Sequence, residues 1–238
     1  MAGEETMDLS LTLLLLAVAG FAGLHLLLSL PPVRSRLVAA AGATGFRIGY
    51  SVQAAVLLVL TILAYREAAY VPLWHAPWLA WVPVVVMPAA LWLVIGALTT
   101  RNPTAAAPGG EAVLQPGARL PLYTAITRHP MLWGFLLWAV AHLLANGDLA
   151  SLFLFGGIAV LSAAGMIGID AKKRADPAFD FAALAACTSL FPFAATLAGR
   201  NRLAFTRGDA LRLAAAILLY AALMHLHPWL FGVLPYPA

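Results

Sequence analysis

Apolar residues run along this chain in blocks that polar or proline-containing stretches separate. Several blocks approach the roughly 20 residues that a helix needs to cross a bilayer. The first runs from Leu9 to Leu30 and stops at Pro31-Pro32. The second runs from Ile48 to Tyr65, and the third from Leu79 to Leu98. Pro83 and Pro88 lie inside the third, which predicts a kink or a late start. The fourth is the short block Pro130 to Ala145. Proline suits its first helical position because no N–H is left unpaired there. Asn146-Gly147-Asp148 reads as a tight turn, and the fifth block, Leu149 to Ile169, follows it. The last block runs from Leu211 to Phe231.

The intervening stretches read as loops. Arg34, Arg36 and Arg47 lie after the first block. Arg66 to Trp78 is rich in Trp, Tyr and Pro, as at a membrane interface. Arg101 to Thr127 is long and polar, punctuated by Pro103, Pro108, Gly109, Gly110, Pro116 and Gly117. Asp180 to Gly199 is ambiguous, since it is apolar but holds Pro192 and Thr188-Ser189. Charge decides the matter. If this segment does not cross, 13 of the 14 basic residues fall on one side and only Arg66 on the other. If it does cross, 9 of 14 do. The excess of Lys and Arg on cytoplasmic loops favours the first arrangement. The expectation is an all-α, polytopic transmembrane bundle forming a single domain over residues 1–238. It has six spans plus one interfacial or re-entrant helix, with both termini periplasmic.

Composition supports a bilayer as the main partner. The chain is 63% hydrophobic and 10% charged, which excludes an ordinary soluble domain. A pI of 9.6 would suit nucleic acid, but the basic residues lie between apolar blocks, where topology and lipid headgroups explain them. Cys187 is the single cysteine, so no intramolecular disulfide and no Cys-x-x-Cys-His attachment of c-type haem is available. The acidic start (Glu4, Glu5, Asp8) lacks a basic n-region, and the first span is expected to be retained.

Six histidines remain as candidate chemistry: His25, His75, His129, His142, His225 and His227. His129 and His142 bracket the fourth block, about 20 Å and about 220° apart on a helix, so they cannot share one metal on one face. His225 and His227 point about 200° apart. Depth groups the rings differently. His25 nears the inner end of the first span and His129 marks the inner end of the fourth, while His142 and His225 share the outer leaflet. Two imidazoles from facing helices can hold haem b. They can equally be structural, bonding across helices at about 0.6 kcal/mol each. Arg47 and Arg128 lie at the inner boundary, where propionates would want a cation, although topology alone explains either one. Tyr50 and Ser51 follow Arg47 into the second span. Asp148 and Asp170 fall at block ends, so no carboxylate relay is expected mid-membrane.

Several motifs together resemble the NnrU family of bacterial integral membrane proteins. They are Gly23-Leu24-His25, Arg47-x-x-Tyr50-Ser51, Ile126-Thr127-Arg128-His129-Pro130-Met131-x-x-Gly134, Trp138-x-x-Ala141-His142-Leu143-x-x-Asn146-Gly147-Asp148 and His225-x-His227-Pro228-Trp229-Leu230-Phe231-Gly232. That family is associated with denitrification and nitric oxide metabolism, and it looks related to the 15-cis-ζ-carotene isomerases, which use haem b. The resemblance implies a bacterial inner-membrane protein with haem b on His25 and His129. It makes His142 a third pocket residue or alternate ligand, and Arg47, Tyr50 and Arg128, which depth already places at the inner boundary, would complete the pocket. It also implies isomerase-type catalysis by the His25–His129 site on an apolar polyene entering from lipid, or a role in nitric oxide metabolism. The rival expectation is a non-catalytic accessory or assembly factor whose histidines are structural.

Overall fold

The computed structural model describes residues 8–105, 110–114 and 119–236. Helix α1 (Leu9–Ser29) starts where the Asp8 carboxylate accepts the N–H of Ser10 at 2.7 Å. Extended Leu30 then leads into α2 (Pro31–Glu67), with proline in its first turn. A 3-10 turn, Pro77–Ala80, precedes α3 (Trp81–Thr99), which is the late start that the prolines predict. The short α4 (Leu122–Ile126) leads to α5 (Pro130–Asn146) and α6 (Leu149–Ala175). Two further short helices, α7 (Phe181–Cys187) and α8 (Ala194–Leu197), precede α9 (Arg207–Phe231).

The all-α expectation holds, with differences of detail. Among the described residues, five helical stretches are long and apolar enough to cross a membrane: α1, α2, α6, α9 and Pro77–Thr99. The sixth expected span, α5, is apolar but has 17 residues, a length of about 25 Å. The stretch carrying Arg34, Arg36 and Arg47 is helix rather than loop. Alanines at 39, 40, 41 and 43 favour helix, and the chain bends only at Gly42, whose φ of 73° suits glycine. Segment 180–199 breaks into helices of seven and four residues, far too short to cross. The expected loop before α4 contains a 3-10 turn, Gly110–Leu114, while Pro108, Gly109, Pro116 and Gly117 lie outside the described residues, as do Glu4 and Glu5.

Helix α5 lies between α3 and α6. On one side α9 packs against α3; on the other α1 packs against α6 and α2, and α2 also touches α6. Small residues permit these approaches, as is usual between membrane helices. A Cβ on Gly134 of α5 would stand 2.5 Å from Val94 and 2.9 Å from the Ala90 carbonyl on α3. One on Gly157 of α6 would stand 2.3 Å from Val18 on α1. Buried Leu11, Leu14, Val18 and Ala150 join α1 to the start of α6; Ala139, Leu154 and Phe155 join α5 to α6. Side chains such as Leu16, Val85, Ile167 and Leu211 face outward, as a bilayer requires.

The bundle has two chemically different ends. At the end that holds the chain's first helical turn, Leu73 and Trp74 donate their N–H groups to the Gly147 carbonyl at 2.8 and 3.0 Å, and Ala69 N–H donates to Ser10 Oγ at 2.9 Å. At the other, basic end, Arg212 Nε donates to Thr99 Oγ1 at 2.8 Å, tying α9 to α3. Nearby, Leu93, Leu122, Tyr123 and Ile126 form a core, where Tyr123 packs edge-on against Trp92 and closely against Gly96. A Cβ on Gly96 would lie 2.0–2.3 Å from three atoms of that fully buried ring. Gly96→Ala is therefore expected to destabilise by about 1–3 kcal/mol, as overpacking does. Gly49→Ala, with nothing within 4 Å, should not. Thermal unfolding of both variants in detergent checks this.

Candidate functional site at the basic end

His129 sits at the cap of α5, immediately before the proline that starts the helix. The backbone around it is bracketed from outside the bundle. Arg128 N–H donates to the Ser189 carbonyl at 3.0 Å, Thr127 Oγ1 to the Leu190 carbonyl at 2.8 Å and Trp133 Nε1 to the same carbonyl at 2.8 Å. Phe193 N–H reaches the Ile126 carbonyl at 2.8 Å, and Asn201 Nδ2 spans the carbonyls of Ala125 and Cys187. On the other side Thr104 Oγ1 donates to the Arg128 carbonyl at 2.5 Å. The segment expected to lie at the interface thus serves as a clamp on the turn that carries His129.

Within that turn His129 is buried, 2% exposed, and its Nε2 lies 2.8 Å from Asp170 Oδ1 on α6. Arg128 Nε donates to the other carboxylate oxygen at 2.8 Å. One carboxylate therefore holds a guanidinium and an imidazole side by side. The sequence reading missed this partner. It ended the fifth span at Ile169, whereas α6 continues to Ala175 because Lys172, Lys173 and Arg174 favour helix and suit its C-terminal dipole. Asp170 therefore lies within the last turns of the helix and is buried. The signal was available: an arginine and histidine buried together demand an acid at matching depth.

His129 opens onto a cavity of about 650 Å³ among α2, α3, α5 and α6. Its apolar wall includes Ala97, Met131, Leu132 and Ile169, and Tyr50, Asn102 and Thr104 add polar groups. Arg34 and Lys172 reach the same cavity, and among the described residues neither forms an ion pair. The expected cations are elsewhere engaged. Arg128 is bound to Asp170; Arg47 does not line the cavity and sits 3.5 Å from Thr44 Oγ1. The helical course of residues 31–41 is what brings Arg34 there instead.

Tyr50 takes its expected place on the wall. His25 does not line the cavity; its ring packs edge-on against Tyr50, with centroids 5.2 Å apart, and its Nδ1 lies 2.8 Å from the Phe21 carbonyl. Tyr50 is thus the link between the two histidines expected to pair. His142 belongs to the opposite end. It lines a second cavity with His227, not with His225 as depth suggested, because the α9 register turns the later ring inward. Among the described residues no cluster of three or more His, Cys, Asp or Glu could hold a bare metal ion. What the basic-end arrangement offers is one carboxylate-held imidazole, apolar walls and the basic side chains of Arg34, Lys172 and Lys173, with the Asp176 carboxylate also on the wall.

No curated protein and no solved structure matches the sequence. A family model described as NnrU protein matches residues 13–235, nearly the whole chain. This all-helical membrane protein therefore belongs to the NnrU family.

Proposed function

We propose that this protein binds haem b in the basic-end cavity, with His129 as the principal iron ligand. The observation that carries the reading is the buried His129–Asp170 hydrogen bond at the cavity wall. A metal-ligating histidine almost always gives its other nitrogen to a carboxylate or carbonyl, which fixes its tautomer and orientation. With Asp170 on Nε2, the neutral ring carries its lone pair on Nδ1. The rest of the cavity suits an amphiphilic tetrapyrrole. Ala97, Leu132 and Ile169 present an apolar wall to the macrocycle, and Arg34 and Lys172 offer cations to two propionates. About 650 Å³ is also within the usual range for a bound small molecule.

When bound, haem would supply one-electron chemistry and a coordination position open to exchange. The protein's part is to hold the imidazole, exclude water and place the second ligand. His25 would fill that second role with Tyr50 displaced, because its ring lies behind Tyr50 and does not line the cavity. Its Nδ1–H is occupied by the Phe21 carbonyl, so its Nε2 lone pair is the nitrogen left for iron, with Tyr50 at the boundary between that ring and the cavity. Such a site would serve nitric oxide metabolism, or cis–trans isomerisation of an apolar polyene entering from the bilayer.

A rival reading makes the chain a non-catalytic accessory factor. It draws on the bonds that His25 and His142 make to carbonyls of their own helices, which satisfy one nitrogen of each ring locally. Reduced-minus-oxidised spectra of purified protein separate the two. Haem binding requires a Soret band in the wild type, its loss in His129→Ala, and a shift toward a high-spin spectrum in His25→Ala. A haem-replete preparation without a Soret band supports the accessory reading.

A further inference from the structure

A second cavity of about 650 Å³ lies at the opposite end of the bundle, bounded by α2, α3, α5, α6 and α9, and the basic-end site does not use it. Two histidines from different helices line it, His142 on α5 and His227 on α9. Their hydrogen bonds fix what each can offer. His142 Nδ1 lies 2.8 Å from the Trp138 carbonyl, and His227 Nδ1 lies 2.9 Å from the Val233 carbonyl. A carbonyl oxygen only accepts, so both Nδ1 atoms carry the proton. In the neutral ring Nε2 then bears a lone pair. With Nδ1 turned back onto backbone, the Nε2 edge is the one left for the cavity. Two acceptors from different helices, α5 and α9, therefore border one space.

Two of the cavity's phenols are already engaged, while Tyr70, Arg66 and Asn146 also line it. Tyr220 donates its hydroxyl to the Val84 carbonyl at 2.9 Å, and Tyr65 shares a 2.9 Å bond with Ser151 Oγ. The two imidazole acceptors call for a ligand that brings hydroxyl donors. The walls specify the rest: Trp138 and Phe155 pack edge to face with centroids 5.1 Å apart, and His142 stacks on Phe155 at 5.3 Å. Such surfaces take a flat ring. Leu91 and Leu223 continue an apolar lining on helices that meet the bilayer.

From this geometry we propose that the second cavity is a binding site for a lipid-soluble hydroquinone, a flat ring with two hydroxyl donors and an apolar tail. Its hydroxyls donate to Nε2 of His142 and of His227, and its ring lies against the aromatic wall. A quinone, which only accepts, finds no donor at either imidazole. A single metal ion would leave most of the space empty.

Equilibrium dialysis of the full-length protein in detergent tests this with three probes of one shape: tetramethylhydroquinone kept reduced, its quinone, and its dimethyl ether. Hydroquinone should bind at least tenfold more tightly than either analogue. His142→Asn and His227→Asn each retain a short amide near the backbone carbonyl and remove the Nε2 acceptor. Each should weaken hydroquinone about tenfold and leave the analogues unchanged. Micelle partition, equal for every variant, subtracts out. Equal binding of the three probes by the wild type overturns the proposal, and that comparison stands even if a variant fails to fold. Hydroquinone affinity unaltered in both folded variants also overturns it. So does stoichiometric Zn²⁺ or Cu⁺ binding that both variants lose, with no hydroquinone bound, since the lone pairs would then belong to a metal.

Discussion

Asp170→Ala is expected to cost about 3–5 kcal/mol of stability, because it strands the Arg128 guanidinium in a largely buried site. The same change removes the acceptor that holds the His129 ring. Water compensates little here, since the Arg128 side chain is 12% exposed and that of His129 only 1%. Part of the positive charge still rests on the Phe181 ring, 5.6 Å away, so Arg128 keeps one partner. The ion pair itself need not be a net stabiliser. Replacing a whole buried pair by apolar groups is often neutral, whereas removing one member is not. The double variant Arg128→Met with Asp170→Leu should therefore be more stable than Asp170→Leu alone. Thermal or denaturant unfolding in detergent measures both. An Asp170→Ala protein as stable as the wild type would show that the carboxylate does not organise the site.

Gly147→Val is expected to be nearly as damaging, for a different reason. Gly147 closes α5 with φ of 67°, a left-handed conformation costing other residues about 1–2 kcal/mol, and more for a β-branched one. Its position is also crowded. A Cβ there would lie 2.4 Å from the Trp74 carbonyl and 2.9 Å from the indole, which adds an overpacking cost of about 1–3 kcal/mol. Trp74 cannot simply retreat, since its N–H bonds to the Gly147 carbonyl and its indole N–H donates to the Leu144 carbonyl at 3.1 Å. The turn also sets the register of α6 through the Asp148 cap on Ser151 N–H at 2.9 Å. The variant should lose several kcal/mol and loosen the His142 cavity at the same end. The unfolding midpoint in detergent checks it, and a midpoint equal to the wild type's would contradict the packing argument.

Local signals carried much of this fold. Pro130 at the start of α5, the Asn146-Gly147-Asp148 turn and the proline-delayed start of α3 are short-range chemistry, visible in a few adjacent residues. The break of 180–199 into two short helices agrees with the charge count, although its use as a clamp was not legible. That use depends on carbonyls of Ser189 and Leu190 meeting a turn about sixty residues away. The site was less legible because its partners come from different helices. His129 and Tyr50 were nameable, but Asp170 required knowing that α6 runs two turns further. Choosing Arg34 over Arg47 required the helix that bends at Gly42. The pairing of His142 with His227 rather than His225 depended on the rotation of α9, which depth along the chain does not contain.

The central proposal is that the His129 imidazole, held by Asp170, ligates haem iron in the basic-end cavity. The most direct measurement is the haem content of His129→Gly protein with and without added imidazole. The expected result is a Soret band that is lost in the variant and returns on addition of free imidazole, which can occupy the space beside Asp170. A full complement of haem in His129→Gly without imidazole, with the wild-type spectrum, would contradict it.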